Sequence, residues 1–357
     1  MKKIVLTAQG RYGLLKVAPL FTVLKNNGLV EPVLALAVRE GDNGETARFA
    51  SALGIEDGLR RIPVGSGTPV AETAELMLAF ERLFAELSAD FVVPGGHDDA
   101  AVAATLTATR MGIPVVSIDA GLRSYDRSET GELNRLIIDS VSALLFVSEH
   151  SGVYNLINEG VADERILFVG NTAIDSLVML MGDANRSDIL KSLDVEPKKF
   201  VTVLLETPTR PETSSNRELL GKVLGAVAAT TTVLLPCGAG ELGEEFGSIP
   251  GLRVIGMPEP AELFRVLRDS AFVLTDTDSF ESELTVMNVP CLMMRQSTYR
   301  PSTIEIGTGV LVGCDEEEIL ERASVILSDK PSEKTLIPEK WDGTSAKRIA
   351  EVLEKVG

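Results

Sequence analysis

The sequence predicts an α/β protein built from two parallel-sheet domains, and three observations carry that prediction. Short apolar runs alternate with helical patterns almost throughout, which is how parallel strands joined by crossover helices read. At 357 residues the chain is too long for one ordinary core and suits two domains of roughly 150 to 200 residues each. The strand pattern also restarts near the middle of the chain, after a polar stretch that contains proline.

Taken in order, the first half offers six strands: KKIVLTA (2–8), PVLALAV (32–38), DFVVPG (90–95), PVVSID (114–119), LLFVS (144–148) and ILFVG (166–170). Each runs into a Gly-rich or polar loop and then a helix. The helix over 100–111 is rich in Ala and Thr, small side chains that let a helix pack closely on a sheet. The segment GNTAIDSLVMLMGDANRSDILKSLDVEPKK (170–199) is a helix followed by the polar stretch, and it places a hinge near Gly170. The second half repeats the theme with FVTVLLE (200–206), TVLLPC (232–237), LRVIG (252–256), AFVLTD (271–276), PCLMM (290–294) and VLVG (310–313). At the end, WDGTSAKRIAEVLEKVG (341–357) has a capping start followed by an amphipathic helix.

With a net charge of -18 the chain is a poor partner for nucleic acid, whose phosphates are bound by basic faces. The start carries no signal-peptide pattern, and no run reaches the roughly 18 apolar residues that span a bilayer. A soluble, cytoplasmic protein with no membrane contact is expected. Cys237, Cys291 and Cys314 are widely separated and form no CxxC pair, so neither a disulfide framework nor a metal site is expected.

In an open parallel sheet, ligands sit beyond the carboxyl ends of the strands. The residues there are Gln9 to Gly13, Pro94 to Asp99, Asp119 to Arg123, Glu206 to Arg210, Pro236 to Gly240 and Asp276 to Glu283. If the two halves face each other, all of these loops line one cleft.

Several of these loops belong to recognisable motifs: SIDAGLRSYDRSETGELNR (117–135), GNTAID (170–175), QGRYGLLKVAPL (9–20), TPTRPE (207–212), LTDTDSFESE (274–283) and STYRP (297–301). Together they resemble the non-hydrolysing UDP-N-acetylglucosamine 2-epimerases, of which this chain looks like a divergent member. The resemblance implies two Rossmann-like domains facing a central cleft, a GT-B-like architecture: residues 1–168, joined by the C-terminal helix 343–357, and residues 169–342. It implies a nucleotide-sugar substrate, no redox cofactor or metal, and a homodimer. The reaction removes the proton at sugar C2, eliminates the nucleoside diphosphate, and re-adds it after reprotonation on the other face. That chemistry needs acid-base groups near C2 and donors for the leaving diphosphate.

By that resemblance Asp119 replaces the Glu of the family's EAGLR motif, and Glu132 matches the second Glu of PEExNR, with Arg123, Asn134 and Arg135 retained. Asp119 is one methylene shorter, a reach deficit of about 1.5 Å, where misplacement by about 1 Å can cost about 100-fold in rate. Loop capping is its other reading, and for Glu132 the other reading is stabilisation of a helix start. PGGHDD (94–99) stands in place of the family's HGDT loop, which puts His97 at a catalytic Asp position with Asp98 beside it. Neighbouring carboxylates would raise the pKa of His97, while Asp98 also reads as a helix cap.

The diphosphate grip is where the chain departs furthest. Arg11 and Lys16 match basic residues of the GTRPE region, but Tyr12 and Gly13 replace its Pro and Glu. The DSGGxQEE loop becomes Asp276-Thr277-Asp278-Ser279-Phe280-Glu281-Ser282-Glu283, in which Thr277 and Ser279 remain hydrogen-bond donors and Glu283 a partner for ribose. Asp278 adds a negative charge where phosphate is expected. Arg210 and Glu212 survive from HRxE while its His is Thr209, the HxNP histidine is Gly238, and Arg300 is retained beside Tyr299. Two alternatives stay open: a catalytically silent relative that binds a ligand or partner, for which the lost histidines speak, and a glycosyltransferase of similar architecture.

Overall fold

A computed structural model describes residues 1–39, 42, 44–65, 67–205, 217–237, 241–328 and 335–356. The chain divides into two compact units, Met1–Met179 with Glu339–Gly357, and Leu180–Pro338.

In the first unit, β1 (Lys2–Gln9), β2 (Val30–Arg39), β3 (Leu59–Val64) and β4 (Phe91–Pro94) form a parallel sheet in the order β3-β2-β1-β4. A second parallel ladder, β5 (Val116–Ile118), β6 (Leu144–Val147) and β7 (Ile166–Phe168), continues it through a parallel bridge from Val92 to Val115. Residues 4–8 of β1 are all buried, as expected of a strand covered on both faces. The apolar pattern does not reveal β3, because Arg60 and Arg61 interrupt it; both are exposed on a strand at the sheet edge.

The crossover helices are α1 (Gly10–Asn27), α2 (Glu45–Ala52), α3 (Pro69–Leu87), α4 (Asp99–Arg110), α5 (Thr130–Val141) and α6 (His150–Asn158). The small residues predicted to seat α4 do so, with Ala100, Ala101, Ala103, Ala104 and Ala108 all buried. Because β1 leads to β2 and β3 on one side while β4 lies on its other side, the chain reverses direction across the sheet between β1 and β4. That opens a crevice at their carboxyl ends.

The unit boundary falls within α7 (Thr172–Arg186). The GNTAID motif that begins it docks the end of the chain. Asp175 accepts from the backbone N–H groups of Ser345 (3.2 Å) and Ala346 (2.9 Å), capping the last helix at Ser345–Leu353. Trp341 Nε1 donates to Ser148 O at 2.9 Å, and a Cβ on Gly170 (φ +94°) would stand 2.1 Å from Lys340 O.

After α8 (Ile189–Ser192), the described residues of the second unit form six parallel strands: β8 (Phe200–Leu204), β9 (Thr232–Pro236), β10 (Leu252–Ile255), β11 (Val273–Thr275), β12 (Cys291–Met293) and β13 (Gly309–Leu311). Their order is β10-β9-β8-β11-β12-β13, so its reversal lies between β8 and β11. Helices α9 (Arg217–Ala228), α10 (Glu241–Phe246), α11 (Pro260–Asp269), α12 (Glu281–Val286) and α13 (Ser302–Glu305) connect them, and α14 (Glu316–Leu327) follows β13. Its main core joins Val201, Val203, Val223, Leu224, Leu274 and Leu292. Among the described residues, no helix is long and apolar enough to cross a membrane.

Candidate active site

At the crevice of the first unit, backbone segments approach so closely that side chains are excluded. A Cβ on Gly13 would lie 2.9 Å from Ala8 Cα, and one on Gly95 would lie 2.5 Å from Thr7 O and 2.9 Å from Gly13 O. Gly13 therefore stands where this chain has no room for the Glu of the related motif. Lys16 lies one turn further along α1.

Lys16 Nζ lies 2.6 Å from Asp119 Oδ2, and both side chains are only 8% exposed. The contact is a close ion pair rather than an aligned hydrogen bond. Asp119 follows β5 with φ +57°, a left-handed conformation that Asp tolerates better than most residues. The charge of Lys16 also acts on Asp98, the N-cap of α4, whose Oδ1 accepts from Ala101 N at 2.8 Å. Burial pushes the Asp98 carboxyl up to about 6, with Asp99 adding to the rise and Lys16 and the Ala101 bond opposing it. Capping and a perturbed acid are thus one residue's two properties.

His97 lies against the start of α5. Asn134 Nδ2 donates to His97 O at 2.9 Å, and a Cβ on Gly131 would meet His97 Cδ2 at 3.4 Å and Arg135 Nη1 at 3.5 Å. His97, Asp98, Asp119 and Lys16 are therefore brought to one end of one sheet. Arg11, at the start of α1, is also buried, with Nη1 2.6 Å from Glu45 Oε1 on α2.

Glu132 and Arg135 have other partners. Glu132 is 2% exposed, and its carboxylate accepts from Ser124 N (2.9 Å), Tyr125 N (3.2 Å) and Arg135 Nη2 (2.9 Å). Burial alone would raise its pKa, but these donors outweigh burial and hold it below the ordinary value. Such a carboxylate is a weak base; here it shapes the loop after Arg123, where Tyr125 has φ +60°.

Arg123 is 4% exposed and turned inward. Nη1 donates to Asp139 Oδ2 at 2.7 Å, while Nε and Nη2 form a two-point contact with Glu159 at 2.8 and 2.7 Å. Burial works against its charge, yet Glu159 and Asp139 outweigh that and raise its pKa. Asp139 also accepts from Ser117 Oγ (2.9 Å) and Gly121 N (2.8 Å); burial nonetheless raises its own pKa. The guanidinium of Arg123 thus braces the turn that presents Asp119.

In the second unit the loop after β11 carries Asp276, Thr277 and Ser279, all buried, followed by Phe280 in the left-handed region at φ +63°. Thr277 and Ser279 bond to one another: their hydroxyls are 2.5 Å apart and Ser279 N donates to Thr277 Oγ1 at 3.1 Å. The negative charge of Asp278 is countered, since Arg295 Nη1 lies 3.7 Å from its Oδ2. Glu283 is buried on α12, and Arg300 is buried with its guanidinium 5.3 Å from the Tyr299 ring centre. Glu281 is enclosed beside them, accepting from the hydroxyls of Thr298 (3.1 Å) and Thr303 (3.2 Å). Thr209, Arg210, Glu212 and Gly238 lie outside the described residues.

The roles of Glu159, Arg295 and Glu281 escape a sequence reading. Glu159 and Arg295 sit in no motif, and only the fold turns them toward Arg123 and Asp278. Glu281 carries one signal, a carboxyl at the Gln position of the related DSGGxQEE loop.

A family model described as UDP-N-acetylglucosamine 2-epimerase matches residues 42–354. The chain is 25% identical over 357 residues to a Methanocaldococcus jannaschii protein named UDP-N-acetylglucosamine 2-epimerase, covering 95% of each. It is 28% identical to a Pseudomonas aeruginosa protein named UDP-2,3-diacetamido-2,3-dideoxy-D-glucuronate 2-epimerase, covering 86% of this chain and 87% of that one. Among solved structures, the Methanocaldococcus jannaschii UDP-GlcNAc 2-epimerase in complex with UDP-GlcNAc and UDP superposes with a TM-score of 0.89 at 22% identity, over 99% of this chain and 100% of that one. A glycosyltransferase of kitacinnamycin shares the GT-B-like fold more distantly, with a TM-score of 0.56 at 14% identity over 99% and 98%.

Proposed function

The chain belongs to the UDP-N-acetylglucosamine 2-epimerase family, and from that membership we propose that it epimerises a UDP-N-acetylhexosamine or similar nucleotide sugar at C2. A base removes the C2 proton while the C1–O bond to the diphosphate breaks, leaving a glycal and a nucleoside diphosphate. Protonation of the glycal at C2 from the other face and return of the diphosphate oxygen to C1 complete the exchange. Protons and bonds balance without an external oxidant or reductant.

The observation that carries this reading is that Lys16 pairs with Asp119 and acts on Asp98 at the crevice of the first unit, where His97 immediately precedes Asp98. Asp98, raised to about 6, can take and return a proton near neutral pH. Asp119, paired with Lys16 at 2.6 Å, is the partner on the opposite side of the exchange. Glu132 and Arg123 shape this site rather than handle protons, and Arg135 is held beside His97. Arg11, Arg210 and Arg300 serve the anionic leaving group, Thr277 and Ser279 donate to it, and Glu283 accepts from ribose. On the same family resemblance we propose a cytoplasmic homodimer, which light scattering and cell fractionation would test.

Incubation with UDP-N-acetylglucosamine in deuterated water tests the proposal. Expected are deuterium at C2 and formation of the manno epimer. Silence with UDP-N-acetylglucosamine, its manno epimer and the corresponding uronates, from a folded protein, would overturn it.

A further inference from the structure

Glu281 is 1% exposed and joins three segments of the second unit. It begins α12; its carboxyl accepts from Thr298 Oγ1 (3.3 and 3.1 Å), whose own Oγ1 accepts from Arg300 N at 3.0 Å; and it accepts from Thr303 Oγ1 (3.2 Å) on α13. The stretch that bears Arg300 is therefore tied to α12 through this one carboxyl. The charged and titratable groups that act on it come from each neighbouring segment: Arg295 after β12, Arg300 before α13, Asp278 in the loop after β11 and Cys291 on β12.

We propose that Glu281 is a positioning residue for the basic side chains of this unit, and that it takes up a proton when a nucleoside diphosphate binds there. This rests on the role of Arg300 proposed above. The cluster holds two buried cations, Arg295 and Arg300, against two carboxyls, Glu281 and Asp278. An arriving diphosphate brings further negative charge to the same cations. Ionised Glu281 then opposes the ligand, and protonation removes the opposition while the carboxyl oxygens still accept from the threonines. Asp278 is nearer to solvent and set against Arg295. Burial supports the exchange by pushing Glu281 up to about 7, with Arg295 and Arg300 opposing and Asp278 assisting. The thiol of Cys291, pushed up by burial and by Glu281, stays protonated throughout.

The test is titration calorimetry with uridine diphosphate at pH 7.5 in buffers of different ionisation enthalpy, which reads protons taken up per ligand bound. If the ligand lifts Glu281 from about 7 by about one unit, uptake is about half a proton. Glu281→Gln, which keeps the shape and an acceptor, is expected to bind with that half proton missing and with weaker dependence of affinity on pH. Equal uptake by wild type and variant overturns the inference while leaving the proposed function standing. No binding by folded wild type would overturn both. If the variant does not fold, wild-type uptake between pH 6 and 9 decides: a maximum between 7 and 8 supports the inference, whereas a steady decline that follows only the ligand's own phosphate refutes it.

Discussion

Replacing Arg123 by Met removes a buried cation and leaves Asp139 enclosed with its neutral donors, Ser117 Oγ and the Gly121 N–H. Breaking a buried ion pair by removing one partner typically costs about 3 to 5 kcal/mol. Glu159, 37% exposed, rehydrates and adds little, so we expect a loss of about 3 kcal/mol, the low end of that range. For a unit of roughly 200 residues this lowers the melting temperature by about 6 to 12 °C. The loss has a pH signature. Asp139 already sits above its unfolded value because of burial, and losing Arg123 raises it further. A folded-state pKa above the unfolded one means the folded protein holds the proton more tightly, so this term favours folding at low pH and weakens as pH rises through the folded pKa. Urea unfolding at pH 5 and pH 8 should therefore show a smaller penalty at pH 5. Pairing the change with Asp139→Asn should recover much of the loss, since no charge is then stranded. A penalty below about 1 kcal/mol, or one equal at both pH values, would refute the assignment of Arg123 as a brace.

Three further predictions follow from the same geometry. Gly170→Ala forces a Cβ to 2.1 Å from Lys340 O at φ +94° and should release the chain terminus, read as faster proteolytic clipping near Lys340 and a lower melting temperature. Asp119→Asn should reduce C2 deuterium exchange by about 100-fold or more while the fold is retained; unchanged exchange would remove Asp119 from the chemistry. Asp98, raised to about 6 in the folded state, adds a term that favours folding below its unfolded pKa and is lost as pH rises through about 6. Asp98→Asn should therefore show a flatter stability profile between pH 4 and 7 than wild type, measured by chemical unfolding.

The site divides by the range of the forces involved. Asp119 is legible because it follows an apolar strand and precedes AGLR, and His97 with Asp98 because they stand between a strand and an alanine-rich helix. Arg123 and Glu132 were legible as motif members, yet their work is set by side chains distant in sequence: Glu159 lies 36 residues beyond Arg123 and only packing brings the pair to 2.7 Å. A motif marks that a residue matters. It does not distinguish touching a substrate from holding a loop.

Composition and periodicity alone determined an α/β chain with two parallel sheets, because burial on both faces of a strand demands continuous apolar runs and because helix and strand differ in period. Motif order alone pointed to the family. The edge strand β3 escaped, since an exposed edge needs no apolar face and its arginines obscure the pattern. Only the tertiary structure decided that Gly13 and Gly95 leave no room for side chains, that Lys16 pairs with Asp119, that Arg295 offsets Asp278 and that Glu281 is buried among arginines. Each depends on contacts between segments far apart in the chain, where desolvation and charge act over a few ångströms that no local pattern records.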